Sequence, residues 1–261
     1  MNWLYIIFLP VAASLLWPFL MVMVKRNPLL SQMILGLTMT IEAFAMIMLF
    51  ITLHGKTDEL FIYDFLLLVS VATCGPLYFT GICALTEPRG ASPRQRRVLI
   101  IPLLYTAGLT IGAWLMGIRN YEAMCLAIHN GSIAWNGSGT GWQFMYIWHN
   151  IVFGFLLVVV NIILMVIANR KLTVFRNRFN SFYADRLGKP LPKHRPVTIF
   201  SWIFLPLCLA LLLLITHNPR AAKYLTVFLS VVIAAIQFFY GRYIYNLNYD
   251  ARYLNKLLNE K

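Results

Sequence analysis

The chain has 261 residues, of which 60% are apolar and only 12% charged, with a mean hydropathy of +0.70. A soluble chain of ordinary composition carries about 25% charged residues, so an ordinary soluble domain is excluded. The net charge of +13 would suit a nucleic-acid binder, but its placement along the chain points to a membrane instead.

Seven apolar stretches follow one another: Asn2–Val24, Leu29–His54, Leu60–Leu85, Val98–Ile118, Phe144–Asn169, Ile199–Thr216 and Tyr224–Asn246. Each is about twenty residues, the length with which an α-helix crosses roughly 30 Å of hydrocarbon. The expected fold is all-α, a polytopic bundle of seven transmembrane helices over residues 1–246 with a helical tail at 247–261. No basic segment precedes the first stretch, and Lys25-Arg26 closes it, which reads as a retained helix and not a removable signal peptide.

Of the 22 Lys and Arg residues, eighteen fall on one side of the seven-helix arrangement. They lie at Lys25-Arg26, at Arg89–Arg97, at Arg170–Arg195, and at Arg242, Arg252, Lys256 and Lys261. The other side has only Lys56, Arg119, Arg220 and Lys223. Basic residues in short loops stay in the cytoplasm. The N-terminus is therefore expected outside and the C-terminus inside, in the inner (plasma) membrane of the cell. The basic excess then serves orientation and contact with anionic lipid, and no direct nucleic-acid contact is expected.

Within the second stretch stands Glu42, near the middle of the hydrocarbon, and Asp64 lies about one turn inside the third. A carboxyl group at the bilayer centre costs about 2.5–3.5 kcal/mol on insertion scales. Glu42 is thus expected to face the bundle, either as a helix-packing acid or as the floor of a ligand cavity. Asn161 and Gln237 are milder cases, of a kind that usually joins helices. Pro76 in the third stretch and Pro206 in the sixth each remove an amide donor; they are candidate hinges, or simple packing kinks.

Aromatic and ionisable residues gather at the expected outer face, where an interfacial belt alone accounts for Trp and Tyr. Trp114, Arg119, Trp142 and His149 join Glu42 and Asp64 as candidate residues for an unknown ligand. The connection 119–143 is expected as an outer loop, with Asn-Gly turns at Asn130 and Asn136. Inside, residues 170–198 contain Leu172, Phe175, Phe179, Phe182 and Tyr183 at helical spacing among basic residues. This is expected to be an amphipathic helix lying on the membrane surface.

The seventh stretch keeps its pattern beyond the bilayer. Ile244, Leu247, Ala251, Leu254 and Leu258 alternate at three and four residues, an a/d seam over two heptads. It is expected either to pair two copies of the chain or to lie on the membrane as an amphipathic tail. The four cysteines, Cys74, Cys83, Cys125 and Cys208, form no C-x-x-C pair. With the histidines unpaired at helical spacing, no metal and no cofactor is expected.

The run Cys74-Gly75-Pro76-Leu77-Tyr78-Phe79-Thr80-Gly81-Ile82-Cys83-Ala84-Leu85-Thr86 resembles a segment of the membrane-bound AraC-type regulators of Bacteroidetes. Ile101-Pro102-Leu103-Leu104 and Phe239-Tyr240-Gly241-Arg242-Tyr243 are similar to that family as well. The resemblance implies a multi-helix sensor, which in that family precedes a cytoplasmic DNA-binding domain with two helix-turn-helix units; these 261 residues are expected to hold no such domain, as a truncated form or as a stand-alone sensor. Three function classes follow. A sensor module is favoured by the outer loop, the proline-marked helices and the exiting helix. A small-solute transporter suits the helix count, although no repeat motif relates helices one to three with five to seven. An intramembrane metal hydrolase lacks its ligands, so no catalytic residue is expected.

Overall fold

The computed structural model describes residues 4–25, 27–54, 60–129, 139–187, 195–200 and 219–259. Every regular element among them is a helix. Three long helices come first: α1 (Leu4–Met23), α2 (Leu30–His54) and α3 (Leu60–Thr86). A four-residue turn of helix, α4 (Pro93–Arg96), leads through Arg97–Leu99 into α5 (Ile100–Met116). Its start is set by Ser92, whose side chain accepts from the Gln95 amide while Gln95 accepts from the Ser92 amide, a reciprocal capping box. Then follow α6 (Ile118–His129), α7 (Thr140–Ile147), a π-helical stretch (Trp148–Leu157), α8 (Val158–Leu187), α9 (Arg195–Ile199), α10 (Pro219–Tyr245) and α11 (Ala251–Asn259).

Among the described residues, Leu30–Leu49, Phe61–Thr86 and Pro93–Met116 are long and apolar enough to cross a membrane. Helix α5 shows what such a span exposes: Leu103, Leu104, Ile111 and Trp114 all lie on the surface. A contiguous apolar row of this kind on a protein surface marks a contact with lipid or with another protein. The sixth apolar stretch, with Pro206, lies outside the described residues beyond Phe200.

Two apolar cores are stacked end to end. One joins the C-terminal half of α2, the start of α3, α5, α6 and α7 around Met48, Leu68, Leu109, Met124 and Met145. The other joins α1, the N-terminal half of α2, the end of α3, α8, the α9 region and α10 around Leu35, Ile82, Leu172, Phe200 and Tyr240. In the second core the Phe200 and Tyr240 rings stack at 3.9 Å, 5° from parallel.

Three expectations are corrected. The connection 119–143 is not a loop throughout. Gly117, at φ +81°, turns the chain out of α5 in a conformation that favours glycine, and α6 begins at once. Tyr121, Met124 and Cys125 are buried while Arg119, Asn120 and Ala123 are exposed, the i, i+3, i+4 stripe of an amphipathic helix. Second, the basic segment from residue 170 is not a separate surface helix. It continues α8 without a break to Leu187, and Leu172, Phe175 and Phe179 are buried within the chain.

Third, the seventh helix does not continue as a seam. It ends at Tyr245, and a new helix begins at Ala251. Gln32 donates to the carbonyls of Ile244 (2.7 Å) and Tyr245 (3.2 Å), and Lys25 donates to those of Tyr245 (3.2 Å) and Leu247 (3.1 Å). These bonds satisfy acceptors that a helix end leaves open. The partial burial they impose lowers the Lys25 ammonium below the ordinary lysine pKa. Asp250 accepts from the Tyr253 amide at 2.7 Å, the N-cap bond that starts α11. Ile244, Leu247, Ala251 and Leu254 are all 2% exposed or less inside one chain. The row expected to pair two copies is therefore covered intramolecularly. Leu258 lies in α11, its side chain outside what is described.

Candidate functional site

The two cores meet at a polar layer. Glu42 projects from α2 and is 2% exposed; Gln237 projects from α10 and is fully buried. The Gln237 amide donates to Glu42 Oε2 at 2.7 Å. Glu42 Oε1 and Gln237 Oε1 are both buried without a partner. Tyr240, one turn on from Gln237, lies within electrostatic reach of Glu42, Tyr78 and Cys74. Ile41, the neighbour of Glu42, packs on Cys74 and Met165, which ties α2 to α3 and α8 at the same level.

Asn161 of α8 belongs to this layer too. Its amide donates to the Leu157 carbonyl at 2.9 Å, at the end of the π-helical stretch. Its Oδ1 rests against the bare backbone of Gly75 and has no hydrogen-bond partner. Pro76 follows directly. Helix α3 runs unbroken through it, and the Pro76 carbonyl accepts from the Thr80 hydroxyl at 2.8 Å. A π-helical turn holds an extra residue and recurs at functional sites; here it ends at Leu157, one turn before Asn161.

The remaining candidates do not converge on Glu42. Asp64 is half-buried near the start of α3, where Cys125 Sγ of α6 lies 3.9 Å from its Oδ2. Burial is the main cause that pushes the Cys125 thiol pKa up, and the Asp64 carboxylate adds to it. Tyr121 is pushed up for the same two reasons, in the same order. Trp114 is 80% exposed and lines no interior space. Arg119 is exposed on α6, and Trp142 is half-buried at the edge of the α5–α6 core. His149 stands in the π-helical stretch, its side chain outside what is described. The site residues thus divide into a mid-bundle layer around Glu42 and a peripheral group around Asp64.

Two features were missed in the sequence. One is the Glu42–Gln237 bond itself: both residues stood out, but nothing in their spacing joins α2 to α10. The other is a small apolar cluster of Phe175, Phe179, Tyr249, Ala251 and Leu254, which docks α11 on the far end of α8. Phe175 and Tyr249 stack there at 6.3 Å. The signal for it was Asp250 followed by a helix former, a start signal that the seam pattern obscured.

Among the described residues no group of three or more His, Cys, Asp or Glu side chains stands ready to hold a metal ion. Comparison with family models, with curated proteins and with solved structures finds no match for this chain.

Proposed function

We propose that this chain is a seven-helix membrane protein, N-terminus outside and C-terminus in the cytoplasm of a bacterial cell, that acts as a sensor. It receives a signal in its outer or lipid-embedded half and delivers it to a cytoplasmic output. One observation carries this reading. Helices α7 and α8 and the π-helical stretch between them form one unbroken helical run from Thr140 to Leu187. At 1.5 Å per residue that run is about 70 Å long, more than twice the hydrocarbon thickness. It joins the α5–α7 core to the α8–α11 cluster, so the transmitting element is this rod, in place of the seventh helix.

Charge placement and the three long apolar helices support the membrane arrangement. The resemblance of Cys74–Thr86 to membrane-bound AraC-type regulators agrees with an output on transcription through a further domain. Two experiments test the proposal. A tag after Lys261 is expected to be protected in right-side-out vesicles, and a Cys placed between residues 130 and 138 is expected to react with impermeant thiol reagents; the reverse pattern refutes the orientation. Spin labels at Arg178 and Tyr253 then report α8 against α11. Widening the α5–α7 contact by Gly141→Ala is expected to shift that distance distribution. An unchanged distribution refutes transmission along the rod.

A small-solute transporter is the second reading, favoured by the buried Glu42–Gln237 pair at mid-bundle, the depth of transporter sites. Solute or proton flux in proteoliposomes that Glu42→Gln abolishes would decide for it.

A further inference from the structure

We propose that the groove between the end of α3 and the basic half of α8 is a binding site for one anionic phospholipid. The groove measures about 310 Å³, and its lining includes Thr86, Ile167, Arg170, Val174, Phe175 and Arg178. The inference rests on the membrane arrangement proposed above, which puts this end of α3 at the cytoplasmic boundary.

Charge is the first argument. Lys171 and Glu87 also line the groove, but they are ion-paired with each other, so their charges cancel. Arg170 and Arg178 are exposed, and no anionic group pairs with either among the described residues. Two guanidinium charges therefore border the groove uncompensated. A guanidinium presents a planar fork that matches a phosphate oxygen pair. The Arg178 guanidinium is held 5.1 Å over the Phe179 ring, a cation–π contact that keeps it at the groove edge.

The walls are the second argument. Between the two arginines sits Val174, an apolar side chain 67% exposed, with Ile167 below it, also exposed. Phosphate alone leaves those surfaces in water; a lipid covers them with its glycerol and acyl carbons. Position is the third. Thr86 closes the apolar stretch Phe61–Thr86, so the groove opens at headgroup depth. Helical side chains lean toward the N-terminus of their helix, which tilts both arginines of α8 toward the bilayer. Basic pockets at the cytoplasmic ends of membrane helices recognise anionic headgroups in this manner.

The test uses the full chain in mixed micelles, with phosphatidylglycerol and phosphatidylcholine as probes, bound lipid being read by native mass spectrometry. Phosphatidylglycerol is expected to be retained over phosphatidylcholine. Arg170→Ala with Arg178→Ala is expected to weaken it about 30-fold, from roughly tenfold per 1.4 kcal/mol and about 1 kcal/mol per basic residue. Arg170→Lys with Arg178→Lys, which keeps the charge but not the guanidinium fork, is expected to restore only part of the binding. Arg94→Ala with Arg97→Ala removes equal charge from α4 and the turn after it, and is expected to change little. Equal loss in the two alanine pairs would mean diffuse attraction, and displacement by millimolar inorganic phosphate would mean a free-anion site; either result overturns the proposal. Alkaline extraction of native membranes separates the two failures. A chain that extracts sinks the membrane reading and this inference with it. A chain that stays integrated but shows no headgroup preference sinks the inference alone.

Discussion

The Glu42–Gln237 contact makes a quantitative prediction about the charge state of the acid. One bond is present, Gln237 Nε2 to Glu42 Oε2 at 2.7 Å, and one oxygen on each residue is unpartnered. If Glu42 carries its proton on Oε1, a small rotation lets that O–H donate to Gln237 Oε1. Both orphans are then satisfied in a reciprocal acid–amide pair. An ionised Glu42 would set two acceptors against each other in a site that water does not reach. The protonated form predicts that Glu42→Gln, which preserves shape and both bonds, changes stability by less than about 0.5 kcal/mol. Glu42→Leu strands the Gln237 amide and is expected to cost about 1–3 kcal/mol. Gln237→Leu strands the acid and is expected to cost at least as much. The double change Glu42→Leu with Gln237→Leu removes both needs and should recover most of the loss, with a coupling of about 1–2 kcal/mol. Equilibrium unfolding in mixed micelles titrated with dodecyl sulfate measures all four. If Glu42→Gln proves as damaging as Glu42→Leu, the acid works as a charge and the argument fails.

Three further outcomes are expected. Asp250→Ala removes the N-cap of α11 and should lower the stability of its docking by about 1 kcal/mol, seen as faster hydrogen exchange over residues 251–259 with α2 and α3 unchanged. Gly141→Ala places a Cβ 2.7 Å from the Met116 backbone, which no rotamer change relieves. It should destabilise the bundle by about 1–3 kcal/mol, and a thermal midpoint equal to that of the unaltered protein would count against this packing. Cys125, whose thiol pKa burial raises, holds little of the reactive thiolate at pH 8. Iodoacetamide should spare it in the folded protein and modify it after unfolding; rapid reaction in the folded state would contradict its burial.

The sequence made the long elements legible because hydropathy alone defines them. The first four apolar stretches match α1, α2, α3 and α5 to within two residues at each end. The errors came where one pattern served two structures. An a/d row reads the same whether it pairs two chains or closes one, and Ile244–Leu254 closes one. A basic amphipathic stretch reads the same on a bilayer surface or at the end of a longer helix. Gly117 and Asp250 were the local clues, one a stop and one a start, and each was outweighed by a longer-range pattern. The polar layer was half legible. Glu42, Asn161 and Gln237 stood out by their rarity, but their grouping depends on which helices are neighbours, and no single apolar helix carries that information.

Helix α2 depends on a part of the chain made much later. Its two buried groups of greatest polarity, Gln32 and Glu42, both find their partners in α10: Gln32 on the carbonyls of Ile244 and Tyr245, Glu42 on Gln237. These bonds bridge 195 to 213 positions. In the membrane arrangement proposed above, a ribosome adding about 5–20 residues per second would leave α2 without these partners for roughly ten to forty seconds. Once α10 arrives, both needs are met together, and an unmatched Gln32 amide and Glu42 acid mark a chain whose synthesis has not yet reached residue 245.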